Sequence, residues 1–467
     1  MNKTHLKRIF SDIRLWIVFF FAIRLLGISN APLEAGHNWR QSLTNMITRN
    51  FVQGRANIFY PQIDMAGEKT GIIGSEFPIF NYLTYLFSSL LEYSHWHGRL
   101  INLLVTSLGL YFFYKLISQL FKKETAFAST IVLAVSIWYG FGRKIMPDTF
   151  SVSLVIIGLW YAYLYLKNGK TVQLLAFFIL ITLGMLSKIP ALSLMGVLAL
   201  VPFLSTVPNA RKLFLLTASG ISIGLVFCWY FYWVPHLLST YHYQLYFPKS
   251  FMDGLLEIKP LIPELLEKFY FSAFHSYLAF ACFLVGIYFF WKEKLPYYRY
   301  GFAIITLLFV AFIFKTGSVF PLHNYYIIPF VPVMALFAGI AIAKLPKPYY
   351  GIILSIIAIE AIANQQHAQF ISENVNYKLT LEQLADSSIA KDELIIINGG
   401  PSPQSIYFAN RKGWTIENEK LVEANYIDSL VELGAKKLII DKHLIDQFSP
   451  DYELLLDNED YQIYNLN

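Results

Sequence analysis

Apolar residues dominate the first 363 positions in runs of 14–23 residues, separated by short turns that carry lysine or arginine. An α-helix needs roughly 20 apolar residues to cross the bilayer core. Read as helices, the runs predict about eleven spans: 15–28, 100–121, 126–142, 150–166, 172–186, 189–204, 213–234, 269–291, 300–314, 325–343 and 350–363. A further apolar run, 79–91, ends in Glu92-Tyr93-Ser94-His95-Trp96-His97. Counting it as a span would invert every later turn, so it is predicted to be an interfacial or re-entrant helix. Beyond position 364 the pattern changes. Segments 393–398 (ELIIIN) and 437–440 (KLII) read as buried strands, and 428–433 as a helix stopped by Gly434. The predicted fold is an all-α polytopic membrane body, 1–364, with a first outer loop at 29–99, followed by a small α/β domain at 365–467.

Charge separates the same two parts. From Gln365 onward there are 17 Asp and Glu against 8 Lys and Arg, a net of −9, while the preceding residues hold 14 acids and 29 bases, a net of +15. Only 15% of the 467 residues are charged and 56% are hydrophobic, so the chain as a whole is not soluble, which excludes a secreted disulfide scaffold, a disordered chain and a soluble nucleic-acid binder. Cys228 and Cys282 both lie in apolar runs, so packing rather than a disulfide is expected. By the positive-inside rule, Lys3, Lys7 and Arg8 put the N-terminus in the cytoplasm. The turns with Lys122/Lys123, Lys167/Lys170, Arg211/Lys212, Lys292/Lys294 and Lys344/Lys347 then also fall inside. Segments 29–99 and 235–268 and the tail are expected outside, in a cytoplasmic (inner) membrane.

Ionisable residues collect at the outer ends of these spans. The first outer loop holds Glu34, His37, Trp39, Arg40 and Gln41 (EAGHNWRQ), then Gly74-Ser75-Glu76-Phe77-Pro78. His37 and Arg40, three apart, share a face if helix begins there. Arg99 opens the second span, Arg143-Lys144-Ile145-Met146-Pro147-Asp148 leads into the fourth, Lys188-Ile189-Pro190 separates the fifth and sixth, and His323-Asn324-Tyr325-Tyr326 precedes Pro329. Bland readings stand beside these: Arg24 snorkelling, Arg143 and Lys144 anchoring to headgroups, His95 and His97 as interface residues. Glu360, a lone acid in the last span, has no assigned role. Basic groups at this depth suit a phosphate whose lipid tail stays in the membrane, and a carboxylate or histidine suits removal of a hydroxyl proton. Together they point to group transfer from a lipid phosphate to an outer acceptor.

These motifs, in order, resemble the GT-C membrane glycosyltransferases, specifically the bacterial branch related to protein O-mannosyltransferases and to the aminoarabinose transferase of lipid A. The marks are His37-Asn38-Trp39-Arg40, Glu76-Phe77-Pro78, Arg99-Leu100, Arg143 to Asp148, Lys188-Ile189-Pro190 and His323 to Pro329. The chain looks like a member of a His-x-Trp-Arg-Gln subgroup. The resemblance implies a polyprenyl-monophosphate sugar donor, an inverting transfer, and a glycan, lipid or protein acceptor, with membrane lipid as a further partner and no nucleic acid. By position, Arg40 and Lys188 would hold the donor phosphate, Arg99 would support the first loop, and Arg143, His323 and Tyr326 would line the substrate site. Glu76, Asp148 and His37 are the candidate bases, because His37 stands where the family has an acid and Glu76 where it has a lysine. No cofactor is fixed. A divalent cation (Mg or Mn) is left open, and the exchange of acid for His37 weakens the case, since hard cations prefer carboxylate oxygens. Rival readings are a lipid-linked-sugar translocator, a polymerase or ligase with a lipid-diphosphate donor, and a non-catalytic lipid binder.

Overall fold

Each expected apolar run contains helix in the computed structural model, which describes residues 10–243, 249–293, 296–445, 448 and 450–466. Lys3, Lys7, Arg8 and Lys294, used for orientation, lie outside the described residues. Among those described, four helices are long and apolar enough to cross a membrane: His97–Leu120, Pro147–Asn168, Asn209–Tyr241 and Tyr297–Thr316. A fifth is formed if Phe251–Ser272 and Tyr277–Lys292, bent by 93°, count as one span. The other runs are helical but short or broken. The run at 126–142 divides at Ser136, whose extended backbone separates Lys123–Val135 from Ile137–Phe141. Ile189–Phe203 is a 3-10 helix with Pro190 at its start and Pro202 inside. Part of Phe251–Ser272 falls in the predicted outer segment, where Asp253, Glu257, Glu264 and Glu267 dilute the apolar signal.

The chain separates into two compact units. The first comprises 1–28, 98–232 and 246–367 and is helical. Its clearest element is the hairpin of Pro147–Asn168 and Thr171–Ser187. Gly169, at φ 72°, ends the first helix in the left-handed conformation that glycine adopts at little cost. Small residues then let the helices close: a Cβ on Gly184 would sit 2.9 Å from the Ser151 carbonyl, and Ser151 Oγ donates to the Gly184 carbonyl at 2.7 Å. Cys228 and Cys282 are both free thiols.

The second unit joins 29–97, 233–245 and 368–467. Its centre is a five-stranded sheet, β1 (Leu394–Ile397), β2 (Gly413–Thr415), β3 (Ala435–Asp441), β4 (Glu453–Asp457) and β5 (Tyr461–Asn465), in the order β2-β1-β3-β5-β4. β1 pairs in parallel with β2 and β3, whereas β5 is antiparallel to β3 and β4. The two strands and the helix expected from the sequence are present, the helix at Ala424–Glu432 with Gly434 beyond it at φ 103°. β2, β4 and β5 are additional. Period-two alternation divides the side chains between two cores. Ile395, Ile397, Ile439 and Ile463 face one; Ile396, Leu438, Ile440 and Tyr464 face the other, against Ile427 and Leu430.

The first of these cores includes the outer loop. Leu43, Met46, Ile47 and Phe51 of the helix Asn38–Val52 pack with Leu381, Ala385, Ile406 and Tyr407. At about 1.5–3 kcal/mol for each fully buried side chain, the four contribute on the order of 10 kcal/mol before the entropy of ordering the loop is subtracted. Polar contacts fix the register. Arg49 donates to the Tyr407 carbonyl at 2.7 Å, lies 3.3 Å from Asp64 and stacks 4.5 Å from the Tyr407 ring. The stretch 42–51 is buried throughout, because sheet and loop together enclose it.

Candidate active site

In the second unit the candidate residues lie at the entry to the helix Asn38–Val52. His37 precedes that helix at φ 57°, ψ 39°, so it does not share a helical face with Arg40 as the spacing suggested. A left-handed histidine costs roughly 1–2 kcal/mol, and hydrogen bonds made by the residues beside it hold it there. Gln41 Nε2 donates to the Gly36 carbonyl at 3.1 Å, Gly36 N to Ala368 at 3.3 Å and Ala35 N to Phe370 at 3.0 Å. Trp39 Nε1 donates to the Pro401 carbonyl at 3.0 Å. Arg40, one turn into the helix, forms an ion pair with Glu76, the two side chains being 16% and 19% exposed. Glu34 is fully buried and accepts from Asn30 Nδ2 at 3.4 Å. His95 and His97 serve the packing of this unit: His95 Nδ1 lies 2.6 Å from the Tyr407 hydroxyl and His97 Nδ1 2.8 Å from Ser88 Oγ.

In the first unit, Asp148 and Lys188 are brought together from opposite ends of the hairpin. Asp148 lies in the first turn of Pro147–Asn168, behind Pro147, where the helix dipole favours a carboxylate. Lys188 is the extended residue between Ser187 and the 3-10 segment, and its carbonyl accepts from Ser151 Oγ at 3.1 Å. Lys188 Nζ stands 3.9 Å from Asp148 Oδ1, with the side chains 15% and 5% exposed. Asp148 Oδ2 is buried without a hydrogen-bond partner among the described residues. An unmet buried acceptor costs roughly 1–3 kcal/mol.

Arg99 and Arg143 are fully buried, so Arg143 and its buried neighbour Lys144 do not anchor to headgroups. Arg143 Nη2 donates to the Gly27 carbonyl at 2.6 Å and Arg99 Nη1 to that of Ile28 at 3.5 Å, clasping the end of the first helix. Arg24 is likewise buried and donates to Gln365 Oε1 at 3.1 Å instead of snorkelling. His323 stacks on Tyr325 at 5.5 Å and contacts Tyr326 at 6.0 Å; burial and then the nearby Lys268 hold its imidazole below the ordinary value.

Likeness to known proteins bears on the fold. Residues 75–237 match the family model of the dolichyl-phosphate-mannose-protein mannosyltransferases. The fold is similar to that of ArnT from Cupriavidus metallidurans bound to undecaprenyl phosphate, with a TM-score of 0.61, 13% identity, and 96% of this chain and 98% of that one covered. Against the apo state of ArnT the TM-score is 0.59 at 11% identity, over 96% and 97% of the two chains. This is a GT-C fold. The same fold relates it to the oligosaccharyltransferase AglB from Archaeoglobus fulgidus, in complex with an inhibitory peptide and a dolichol-phosphate, with a TM-score of 0.53, 14% identity, and 92% and 69% covered. No curated protein matches the chain in sequence. The resemblance read from the motifs between His37 and His323 therefore stands.

Within this GT-C fold, the sequence did not single out Asn102. Its carboxamide donates to the carbonyls of Phe141, Lys144 and Met146 at 3.2, 2.8 and 3.0 Å and accepts from Thr149 Oγ1 at 3.0 Å. It thus shapes the loop that carries Arg143 into Asp148. A signal was present: an amide in an apolar run, three residues after Arg99. Glu360 also gains a role, accepting from Ser276 Oγ at 2.6 Å and Tyr277 N at 3.0 Å at the start of Tyr277–Lys292. No group of three His, Cys, Asp or Glu among the described residues is placed to hold a metal ion. Glu76 faces Arg40 and Asp148 faces Lys188.

Proposed function

We propose that the chain is an integral membrane glycosyltransferase. It moves a sugar from a polyprenyl-monophosphate donor to an acceptor hydroxyl on the outer face of the cytoplasmic membrane. The Lys and Arg turns support an N-terminus inside and a C-terminal sheet outside. The observation that carries the reading is the pairing of both candidate phosphate ligands with candidate bases, Arg40 with Glu76 and Lys188 with Asp148, in a GT-C fold. A donor phosphate competes with each carboxylate for its cation. As the cation of either pair turns to the phosphate, its carboxylate is released to accept a proton.

In the transfer step the acceptor oxygen attacks the anomeric carbon, forming the new C–O bond as the bond from that carbon to the phosphate oxygen breaks. The acceptor proton passes to Glu76 or Asp148, and polyprenyl phosphate leaves with the bonding electron pair. In-line attack inverts the anomeric centre. A cation of these pairs, Arg40 or Lys188, stabilises the charge that develops on the leaving phosphate, and preorganised cations act most strongly where charge appears in the transition state. Arg99 and Arg143 position the first-helix end, and His37 sets the loop that presents Arg40.

The test is donor identity. Purified protein in proteoliposomes receives sugar-labelled polyprenyl monophosphate or the corresponding diphosphate, and label release or transfer is followed. Turnover of the monophosphate with inversion is expected. Turnover of the diphosphate alone, or net transbilayer movement of intact donor without cleavage, overturns the reading.

A further inference from the structure

A second feature of the outer unit is used by none of the chemistry above. A cleft of about 660 Å³ is lined by Gly54–Phe59, Gln62 and Tyr82, within the size range of about 300–1,000 Å³ typical of small-molecule sites. Its floor is aromatic. Phe59 is 51% exposed yet fixed from behind: its ring lies 6.1 Å from those of Phe77 and Trp233, and Trp233 Nε1 donates to its carbonyl at 3.0 Å. Tyr60 extends this support, 5.6 Å from Trp233 and 6.2 Å from Tyr241.

The polar lining is planar and close to neutral. Asn57 spends its Oδ1 on Phe59 N at 3.1 Å. The Gln62 carboxamide makes no side-chain hydrogen bond among the described residues. Arg55 donates to Asn50 Oδ1 at 2.7 Å and stands 3.8 Å from Asp64, so its charge is offset. A half-exposed aromatic ring held by its neighbours, beside carboxamides with donors and acceptors to give, matches a sugar ring. The ring's apolar C–H face lies on the aromatic surface and its hydroxyls meet the amides. A lipid chain would leave those amides unmet, and an anion would find a guanidinium already engaged.

We infer that this cleft is a saccharide-binding subsite that holds a neutral sugar ring of a glycan acceptor. The inference rests on the glycosyltransferase reading for the word acceptor, and on the cleft alone for sugar binding. Phe77, whose ring supports Phe59, directly follows Glu76, so the cleft and the candidate base share one segment of chain.

The test uses full-length protein in detergent micelles, without donor, probed with methyl α-glucoside, methyl β-galactoside and maltotriose by saturation-transfer NMR. Saturation of sugar ring protons is expected, with binding about tenfold weaker in Phe59→Ala and in Gln62→Ala, equivalent to roughly 1.4 kcal/mol. Hydrolysis of the polyprenyl-monophosphate donor by water should stay at the wild-type rate in both variants. Absence of sugar saturation in the wild type, or binding as strong as wild type in both variants, overturns the proposal. So does saturation of detergent acyl protons at the cleft in place of sugar. Donor turnover and probe binding are read separately, so a failure of the glycosyltransferase reading is distinguishable from a failure of this one.

Discussion

Removing the Lys188 ammonium tests the centre of the proposed chemistry. Lys188→Ala leaves Asp148, 5% exposed, without the cation 3.9 Å away and with Oδ2 already unpartnered. At an effective dielectric constant near 20, two unit charges at this separation attract by about 4 kcal/mol, an upper figure for what is lost before rearrangement. Breaking a buried pair from one side costs about 3–5 kcal/mol of stability, whereas removing both charges is often neutral. Lys188→Ala should therefore lower the melting temperature, and Lys188→Ala combined with Asp148→Asn should recover it. Activity should behave otherwise. A preorganised cation at the leaving phosphate contributes roughly 2.7–4 kcal/mol, or 10²–10³ in rate. Both single and double variants should lose that factor in kcat/KM for the polyprenyl-monophosphate donor in proteoliposomes. A double variant that regains stability and also retains activity within threefold of wild type would refute Lys188 as the phosphate ligand.

Glu76→Gln, which keeps the size of the side chain but removes its charge from Arg40, should abolish transfer with membrane insertion intact; wild-type turnover removes Glu76 from the candidate bases. His37→Asn adopts the left-handed conformation readily and should keep donor turnover within about tenfold; a hundredfold loss moves the base to the imidazole. In the second unit, burial raises the Asp441 carboxyl above its usual value, more than the Tyr377 hydrogen bonds at 2.8 and 3.1 Å lower it. A raised acid stabilises the fold most below its unfolded pKa and loses that contribution as pH climbs through the folded value. The stability of Asp441→Asn relative to wild type should accordingly rise with pH across the carboxylate range in thermal melts; a fall contradicts the sign. Glu360→Ala uncaps Tyr277–Lys292 and should cost roughly 1–3 kcal/mol without changing donor turnover, measured by melting and by the proteoliposome assay.

Much of this was legible in the order of residues. An apolar run long enough to approach a bilayer's thickness must satisfy its backbone internally, so each of the eleven runs contains helix, and Gly434 and Pro147 mark boundaries through local backbone geometry. The strands β1 and β3 declared themselves because burial on both faces makes an unbroken aliphatic run. β2 is three residues long, and β4 is exposed along most of its length, so neither writes such a pattern. The motifs from His37 to His323 named the fold before any geometry was known.

Other properties belong to contacts between distant residues. No local rule pairs Arg40 with Glu76 across 36 positions or Lys188 with Asp148 across 40, and the left-handed turn at His37 depends on Ala368 and Phe370. The same holds for Arg24, which the apolar pattern sends towards the membrane surface and Gln365 draws into the core. A sequence records how each residue prefers to meet water or lipid. Which charge answers which is decided only when chain closure brings them within a few ångströms, where the Coulomb and desolvation energies become larger than any local preference.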